Sequence, residues 1–312
     1  MIKGNKMKYP ASVRIVEVGP RDGLQNEQQP ISTPDKIELI QRLAQAGVSH
    51  IEAGSFVSPK WVPQMADSLD VMQGIKRLEH VRYAALTPNK RGFDQAIEAN
   101  ASEVAIFAAA SESFSQKNIN CSIAESLERF EEIMVLAKSQ NMPVRGYVSC
   151  ILGCPYEGTI TAENAEAHFL KVKQVTQQLL DMGCYEVSLG DTIGTGTPKF
   201  TQQLLQTLLD DIPSHLLAVH FHDTYGQALA NILIALQLGI STIDASISGL
   251  GGCPYAEGAS GNVATEDVLY MLEGMNIETG IELDRLVDIG NWISQKLSRI
   301  NGSNVGLTFN TD

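Results

Sequence analysis

The feature that most constrains the fold is a phrase that recurs along the chain: a helical stretch, a Gly or Asn, two or three residues, and a short β-rich run. The turn residues are Gly47, Asn100, Gly183 and Gly239, which suit the left-handed position that follows the last turn of a helix. The strand after each turn begins the next unit. The chain therefore alternates helices and strands.

Eight strands are predicted, over residues 14–19, 50–56, 82–86, 103–108, 144–150, 186–190, 217–222 and 242–248. The helical patterns between and after them cover residues 35–46, 64–78, 92–99, 123–139, 162–182, 198–209, 226–238 and 265–275. Thr33 is the predicted cap of the first helix, with Pro34 in its first turn. Eight strand–helix pairs in 312 residues fit a closed (β/α)8 TIM barrel.

We expect residues 1–312 to form a single catalytic barrel domain, because no linker divides the chain. A further helix over residues 283–300 lies beyond the eighth unit and is expected to pack outside the barrel or at a subunit contact. The alternative fold is an open doubly wound sheet. No Gly-x-Gly-x-x-Gly follows the first strand, which weakens a dinucleotide fold without excluding other open sheets.

Charge and cysteine content narrow the function classes. The sequence has 23 Lys and Arg against 36 Asp and Glu, which gives a net charge of −13. A chain this acidic is a poor match for nucleic acid or an anionic membrane, because both are negatively charged. Five cysteines are an odd count, so reduced thiols are expected rather than a disulfide framework. The first residues lack a secretory h-region, so no secretory leader is expected, and no apolar run approaches the roughly 18 residues that cross a membrane. We expect a cytoplasmic protein.

Polar residues close several of the predicted strands, and in a parallel barrel those strand ends surround the active site. Arg21 and Asp22 follow the first strand, and Glu52 lies in the second. Asp191 follows the sixth strand, and the seventh carries His220 and His222. Arg21 is placed to stabilise an oxyanion, although a simple ion pair with Asp22 is the alternative.

The His220-x-His222 pair is the sharpest of these signals. Residues i and i+2 of a strand share a face, so the two imidazoles point together. If that face is the lumen, Asp22 from the first strand completes a mixed nitrogen and oxygen site for a divalent cation. The alternative is two histidines near the surface that are satisfied by hydrogen bonds.

The loop after the eighth strand holds five glycines, together with Cys253 and Asn262. Such a segment is typical of a lid that brings a proton donor and an oxygen ligand to a site, or of a flexible connection with an incidental thiol. Arg145 and Tyr147 alternate along the fifth strand and share a face, unless they form an exposed edge pair. Cys150 and Cys154 lack a second pair at zinc spacing.

Long ungapped motifs resemble the 3-hydroxy-3-methylglutaryl-CoA lyase family of metal-dependent barrel lyases. The resemblance spans nearly the whole chain. Its motifs are Val-Gly-Pro-Arg-Asp-Gly-Leu-Gln-Asn-Glu from Val18, Ser-Phe-Val-Ser-Pro-Lys-Trp-Val-Pro-Gln-Met from Ser55, Lys-Asn-Ile-Asn-Cys-Ser from Lys117, His-Asp-Thr-Tyr-Gly-Gln-Ala from His222, Gly-Leu-Gly-Gly-Cys-Pro-Tyr-Ala-x-Gly-Ala-Ser-Gly-Asn from Gly249, and Ala-Thr-Glu-Asp from Ala264.

The resemblance implies cleavage of 3-hydroxy-3-methylglutaryl-CoA to acetyl-CoA and acetoacetate with Mg²⁺ or Mn²⁺, in leucine breakdown, by a homodimer. The positions that match the family's metal ligands are Asp22, His220, His222 and Asn262. Arg21 matches the residue that steadies the enolate, and Cys253 matches a loop thiol that transfers a proton. Glu52, Asp191 and Glu266 match supporting acids. Our hypothesis for the base that first takes the hydroxyl proton is an acid or a histidine at the metal.

Two departures limit this transfer of roles. Gln28 stands where animal members have Lys, and no cysteine follows Cys253, so a terminal redox switch is not expected. One alternative function is a condensing relative of the isopropylmalate or homocitrate synthase type. Those enzymes commonly add a domain after the barrel, whereas this chain ends soon after its final helix. Another alternative is a non-catalytic barrel that binds acyl-CoA.

Overall fold

The computed structural model describes residues 9–251 and 261–309, and its main element is a closed barrel of eight parallel strands. The barrel strands are β1 (Arg14–Glu17), β2 (His50–Ser55), β3 (Arg82–Leu86), β4 (Glu103–Ala109), β5 (Val144–Ser149), β8 (Glu186–Asp191), β9 (Leu217–Phe221) and β10 (Thr242–Ala245). Two short strands, β6 (Gly153–Cys154) and β7 (Gly158–Thr159), form a separate antiparallel pair. The predicted barrel is confirmed, and the open sheet is wrong because β1 pairs with both β2 and β10.

Eleven helices are described in residues 9–251 and 261–309. They are α1 (Thr33–Gln45), α2 (Ser68–Gly74), α3 (Lys90–Glu98), α4 (Glu112–Ile119), α5 (Ile123–Ser139), α6 (Ala165–Met182), α7 (Pro198–Leu209), α8 (Ala228–Gln237), α9 (Thr265–Gly274), α10 (Leu283–Lys296) and α11 (Asn304–Thr308). The sequence did not predict α4 or α11. None of these helices combines the length and the apolar character that crossing a membrane requires.

The predicted turn residues occupy the left-handed region. Their φ angles are 101° at Gly47, 55° at Asn100, 110° at Gly183 and 86° at Gly239. A Cβ at Gly47 would lie 2.3 Å from the carbonyl oxygen of Gly280, so this turn also needs the missing side chain.

The first helix begins at Thr33, two residues before the predicted start at residue 35, and its cap lies one residue earlier than predicted. Ser32, not Thr33, is the cap, and its hydroxyl accepts a hydrogen bond from the Asp35 amide. Thr33 instead donates its hydroxyl hydrogen bond to the Asp67 carboxylate, 2.6 Å away, which ties α1 to the segment before α2. The helix predicted over residues 64–78 is shorter in the structure, because the backbone is extended at Ile75 and α2 ends at Gly74.

The barrel has an apolar exterior and a charged interior. Val148, Val187 and Val219 are fully buried members of the large apolar core. In contrast, Arg145 is 1% exposed and forms ion pairs with Glu186 and Asp244. Ionic contacts between the strands thus replace the layers of branched apolar residues that usually fill such a barrel.

The final long helix, α10, packs against α1, α9 and the short turn after β10. It ends at Lys296 rather than at Ile300. This position agrees with the first of the two placements expected for residues 283–300, outside the barrel wall.

Candidate active site

The turn that follows β1 carries Arg21 and Asp22. It is a single π-helical turn, Gly19–Gly23, and the strand therefore ends at Glu17, two residues earlier than predicted. A Cβ at Gly19 would lie 2.6 Å from Glu17 Oε1, and one at Gly23 would lie 2.7 Å from Leu250 Cβ. Both glycines therefore allow the turn to pack tightly across the end of the barrel.

Asp22, His220 and His222 converge at this end of the barrel. One potential ligand atom from each lies within 4.8 Å of the others, and the two imidazole centroids are 5.4 Å apart. His220 belongs to β9, whereas His222 lies just beyond it and pairs through its backbone with Asn262. The structure thus brings together the three side chains from which the sequence predicted a cation site.

The donor chemistry of this cluster fits a divalent cation. Buried Nδ1 of His222 has no hydrogen-bond partner among the described residues. Burial would raise the pKa of Asp22, but Arg21 and the two histidines outweigh it and lower that pKa to about 2. Burial and neighbouring His220 lower the pKa of His222 to about 4. At neutral pH, Asp22 is therefore an anion and His222 is neutral, which are the forms that bind metals.

His220 differs from His222 because two carboxylates face it. Burial alone would lower its pKa, but the hydrogen bond with Asp244 and the charge of Asp22 raise it instead. Its Nε2 lies 3.8 Å from Asp22 Oδ2, and its Nδ1 lies 3.3 Å from Asp244 Oδ2. The ring therefore bridges the site and a carboxylate in the barrel interior.

Asn262 also reaches the cluster, through its amide nitrogen. Nδ2 donates hydrogen bonds to Asp22 Oδ2 at 2.9 Å and to the Leu250 carbonyl at 3.2 Å. A Cβ at Gly251 would lie 2.9 Å from that nitrogen, so the loop backbone passes close to the amide. A half-turn of the amide group would present its oxygen, which is the atom that a cation requires.

Arg21 lies beside the cluster and is held by two acids. Its Nε and Nη2 lie 2.7 and 2.5 Å from Glu52 Oε2, and Nη1 donates to Asp22 Oδ1 at 2.6 Å. Burial would lower the pKa of Arg21, but both carboxylates raise it well above its usual range. Buried Oε1 of Glu52 has no partner among the described residues. The guanidinium is thus a fixed cation at the mouth of the barrel.

The remaining predicted residues lie at different depths. Asp191 is fully buried at the end of β8, and this burial raises its pKa to about 6. Its Oδ2 accepts a hydrogen bond from the Gly196 amide, whereas Oδ1 has no described partner. Both carboxylate oxygens of Glu266 share the single N–H of Ser248, and no described hydrogen bond joins Glu266 to the cluster. Arg145 and Tyr147 both point into the barrel lumen, where Arg145 Nη1 donates a hydrogen bond to the Tyr147 hydroxyl at 2.8 Å. Cys253 lies outside the described residues.

Sequence reasoning missed Asp244. It lies on β10 and its carboxylate contacts His220, Arg145 and Ser188. The sequence did contain a signal for Asp244, because it is an acid inside a predicted barrel strand. Its side chain must lie on the same face of that strand as Thr242, two residues earlier. What could not be read from the strand alone is the register that sets Asp244 beside His220.

Known proteins resemble this chain over most of its length. A family model described as HMGL-like matches residues 12–293. The mitochondrial hydroxymethylglutaryl-CoA lyase of Gallus gallus is 58% identical over 95% of this chain and 97% of its own. The cytoplasmic 3-hydroxy-3-methylglutaryl-CoA lyase of Mus musculus is 57% identical over 95% of this chain and 84% of its own.

A solved structure has the same fold. The crystal structure of hydroxymethylglutaryl-CoA lyase from Pseudomonas aeruginosa superposes with a TM-score of 0.92 at 55% sequence identity. The match covers 96% of this chain and 97% of the other.

Proposed function

The chain belongs to the HMGL-like family, and we propose that it cleaves 3-hydroxy-3-methylglutaryl-CoA to acetyl-CoA and acetoacetate with the help of a divalent cation. The observation that carries this proposal is the convergence of Asp22, His220 and His222 beside the fixed cation of Arg21. Close similarity to lyases of that name, over 95% of the chain, supports the same substrate.

Asp22, His220 and His222 would hold the cation, with Asn262 as a fourth ligand through its amide oxygen. We propose Mg²⁺ or Mn²⁺, because the site offers a carboxylate besides its two imidazoles. When bound, such an ion polarises the oxygen of the tertiary alcohol and makes loss of its proton easier.

The reaction needs no further reactant. The tertiary hydroxyl gives up its proton, the carbon–carbon bond breaks, and its electron pair passes to the thioester fragment as an enolate. The alcohol carbon becomes the ketone of acetoacetate, and a proton on the enolate carbon completes acetyl-CoA. The base that takes the hydroxyl proton comes from the acids and imidazoles around the cluster.

Arg21 stabilises the developing enolate. Its guanidinium remains charged, because Glu52 and Asp22 surround it, and those contacts fix its direction before substrate binds. A preorganised donor of this kind costs little reorganisation as charge develops. Glu52 therefore acts by positioning Arg21, whereas Arg21 itself contacts the enolate in this proposal.

Cys253 is the proposed donor of the proton that completes acetyl-CoA, because an uncharged thiol can donate where a thiolate cannot. Changing Cys253 to Ala should lower turnover by about 10²-fold or more if the thiol performs this general-acid step. Cys184→Ala is the matched control, since Cys184 is buried beside the helical layer. Full turnover in Cys253→Ala would exclude the thiol from the reaction.

The assembly and cellular setting extend this proposal. We propose a cytoplasmic homodimer that acts in leucine degradation. The relatives of this chain include lyases named cytoplasmic and lyases named mitochondrial. Size-exclusion chromatography with light scattering tests the dimer, and a mass corresponding to 33.9 kDa would instead indicate a monomer.

The function is tested by incubating the purified chain with 3-hydroxy-3-methylglutaryl-CoA and measuring acetoacetate and acetyl-CoA together. Equal amounts of both products are expected. A parallel incubation with acetyl-CoA and a 2-oxoacid distinguishes the condensing alternative. Condensation without cleavage would assign the chain to that class, and binding without either reaction would indicate a non-catalytic barrel.

A further inference from the structure

We propose that Asp244 is a positioning residue that orients His220 toward the cation site. Asp244 and His220 are direct neighbours across the pairing of β10 with β9. Asp244 Oδ2 lies 3.3 Å from His220 Nδ1, while Nε2 of the same ring lies 3.8 Å from Asp22 Oδ2. This inference rests on the metal site proposed above.

Asp244 can serve as a fixed support because other groups hold it. It is 2% exposed, and Arg145 binds both of its oxygens, at 3.0 Å to Oδ2 and 2.7 Å to Oδ1. The Ser188 hydroxyl donates to Oδ2 at 2.8 Å. These contacts hold the carboxylate in one orientation, and that orientation determines how the His220 ring hydrogen-bonds to it.

The contact selects the tautomer of the imidazole. An ionised carboxylate only accepts hydrogen bonds, so the neutral ring must carry its proton on Nδ1. Nε2 then keeps its lone pair on the side of Asp22. The neighbouring ring of Tyr147 packs edge-on at 6.1 Å between centroids, which limits tilt but selects neither nitrogen. Asp244 is the nearer of the two carboxylates that face the ring, at 3.3 Å against 3.8 Å for Asp22, and it therefore favours the ligand-ready form.

An amide at position 244 is a poorer partner for the His220 ring. In Asp244→Asn the amide has two orientations: either its nitrogen replaces Oδ1 and faces Arg145 Nη2, or its nitrogen replaces Oδ2 and faces Arg145 Nη1, the Ser188 hydroxyl and the His220 ring. The shape of the side chain is kept, but in either orientation the ring loses the carboxylate charge that favours a proton on its Nδ1. Partners of metal-bound histidines typically contribute 10–100-fold to metal affinity.

Glu186→Gln is the matched control. Glu186 contacts Arg145 from the other side, with Oε1 2.8 Å from Nε, and also accepts from Thr242. It is 1% exposed and has no described contact with His220. Both variants remove one buried charge from the same ionic cluster, but only Asp244→Asn changes the group that contacts the ring.

The test combines Mn²⁺ titration calorimetry with nitrogen NMR of the imidazole rings. We expect Asp244→Asn to raise the Kd for Mn²⁺ by about 10–100-fold, and Glu186→Gln to leave it nearly unchanged. Equal losses in both variants, or an unchanged Kd in Asp244→Asn, would overturn the positioning role. Thermal unfolding of each variant reports whether it folds.

The NMR arm needs no metal and does not depend on Asp244→Asn being stable. In the metal-free wild-type chain, at a pH where the ring is neutral, His220 should carry its proton on Nδ1; its signal is assigned by its loss in His220→Gln. A proton on Nε2 would overturn the inference. If the wild-type chain bound no Mn²⁺, the proposed cation site would fail, and the tautomer would still decide the role of Asp244.

Discussion

Glu52 Oε2 lies 2.7 Å from Nε and 2.5 Å from Nη2 of Arg21, so a single carboxylate oxygen contacts two nitrogens along one edge of the guanidinium. The pair joins the turn after β1 to strand β2 and is buried from solvent. A lysine at position 21 would keep the charge but could not reproduce this fork.

Arg21→Lys should therefore lower kcat by about 10²–10³-fold, the usual loss when a preorganised donor to an oxyanion is removed. KM should change much less, because the interaction strengthens only as the enolate forms. Steady-state kinetics checks this. Arg285→Lys, at an exposed arginine paired with Glu282, is the control and should behave as wild type. A near-normal kcat in Arg21→Lys would contradict the assignment.

Metal binding should release one proton at pH 6. The pKa of Asp22 is lowered to about 2 and that of His222 to about 4, so neither side chain holds a proton there. The pKa of His220 is raised by Asp244 and Asp22 despite burial, so its ring is largely protonated and must lose that proton to bind. Affinity for Mn²⁺ should rise about tenfold per pH unit below the His220 pKa and level off above it.

Calorimetry of Mn²⁺ binding in two buffers of different ionisation enthalpy gives the proton count directly. A count near one at pH 6 is expected, falling toward zero as the pH rises through the pKa of His220. Release of two protons would mean that His222 is also charged in the metal-free chain. An affinity that does not change with pH would contradict the role given to His220.

Glu266 should make the fold less stable as pH rises. Burial raises its pKa from 4.5 to about 8 in the folded chain. Between those values the folded state keeps a proton that the unfolded state has lost, so the free energy of unfolding falls with rising pH, by up to ~1.4 kcal/mol per pH unit. Glu266→Gln removes this dependence.

Urea unfolding between pH 5 and 8 measures the effect. The slope of stability against pH should be flatter in Glu266→Gln than in wild type, whereas Glu166→Gln, at an exposed position, should leave it unchanged. Glu17, whose pKa burial raises to about 7, keeps part of the slope in every variant. Identical slopes in wild type and Glu266→Gln would show that Glu266 is ionised in the folded state.

Gly290 should be intolerant of a methyl group, because its ideal Cβ would lie 2.2 Å from Glu266 Oε1. Gly290→Ala should destabilise the chain by about 1–3 kcal/mol through overpacking. Gly274, at the end of α9, has no atom within 4 Å of its Cβ position. Gly274→Ala should therefore be neutral or stabilising by up to about 1 kcal/mol. Thermal unfolding measures both variants. A lower melting temperature in Gly290→Ala but not in Gly274→Ala would show that crowding, and not helix propensity, causes the loss.

The barrel could be predicted because its signals are local. Left-handed residues such as Gly47 and Gly183 end helices, and a β-rich run follows each of them. Hydrogen bonding across strand ends is not local, and it explains the error in the predicted end of the first strand. The strand predicted to reach Gly19 stops at Glu17 because the chain turns there to place Arg21 and Asp22 over the barrel.

The candidate site was predicted less completely than the fold. His220 and His222 follow from a period of two, and Asp22 from its place after the first strand. Asp244 escaped notice because its role depends on its register with β9 and on Arg145 from β5. Glu266 was predicted as a supporting acid, but its described hydrogen bonds lead to Ser248, which is held at a φ of 56°.

The most direct test of the central claim is acetoacetate release from 3-hydroxy-3-methylglutaryl-CoA by the chelator-treated chain, before and after Mg²⁺ is restored, with Asp22→Asn measured in parallel. The account predicts no release without the cation, recovery in the wild-type chain when it is restored, and little recovery in the variant. Release that ignores the chelator, or full activity in Asp22→Asn, would contradict it.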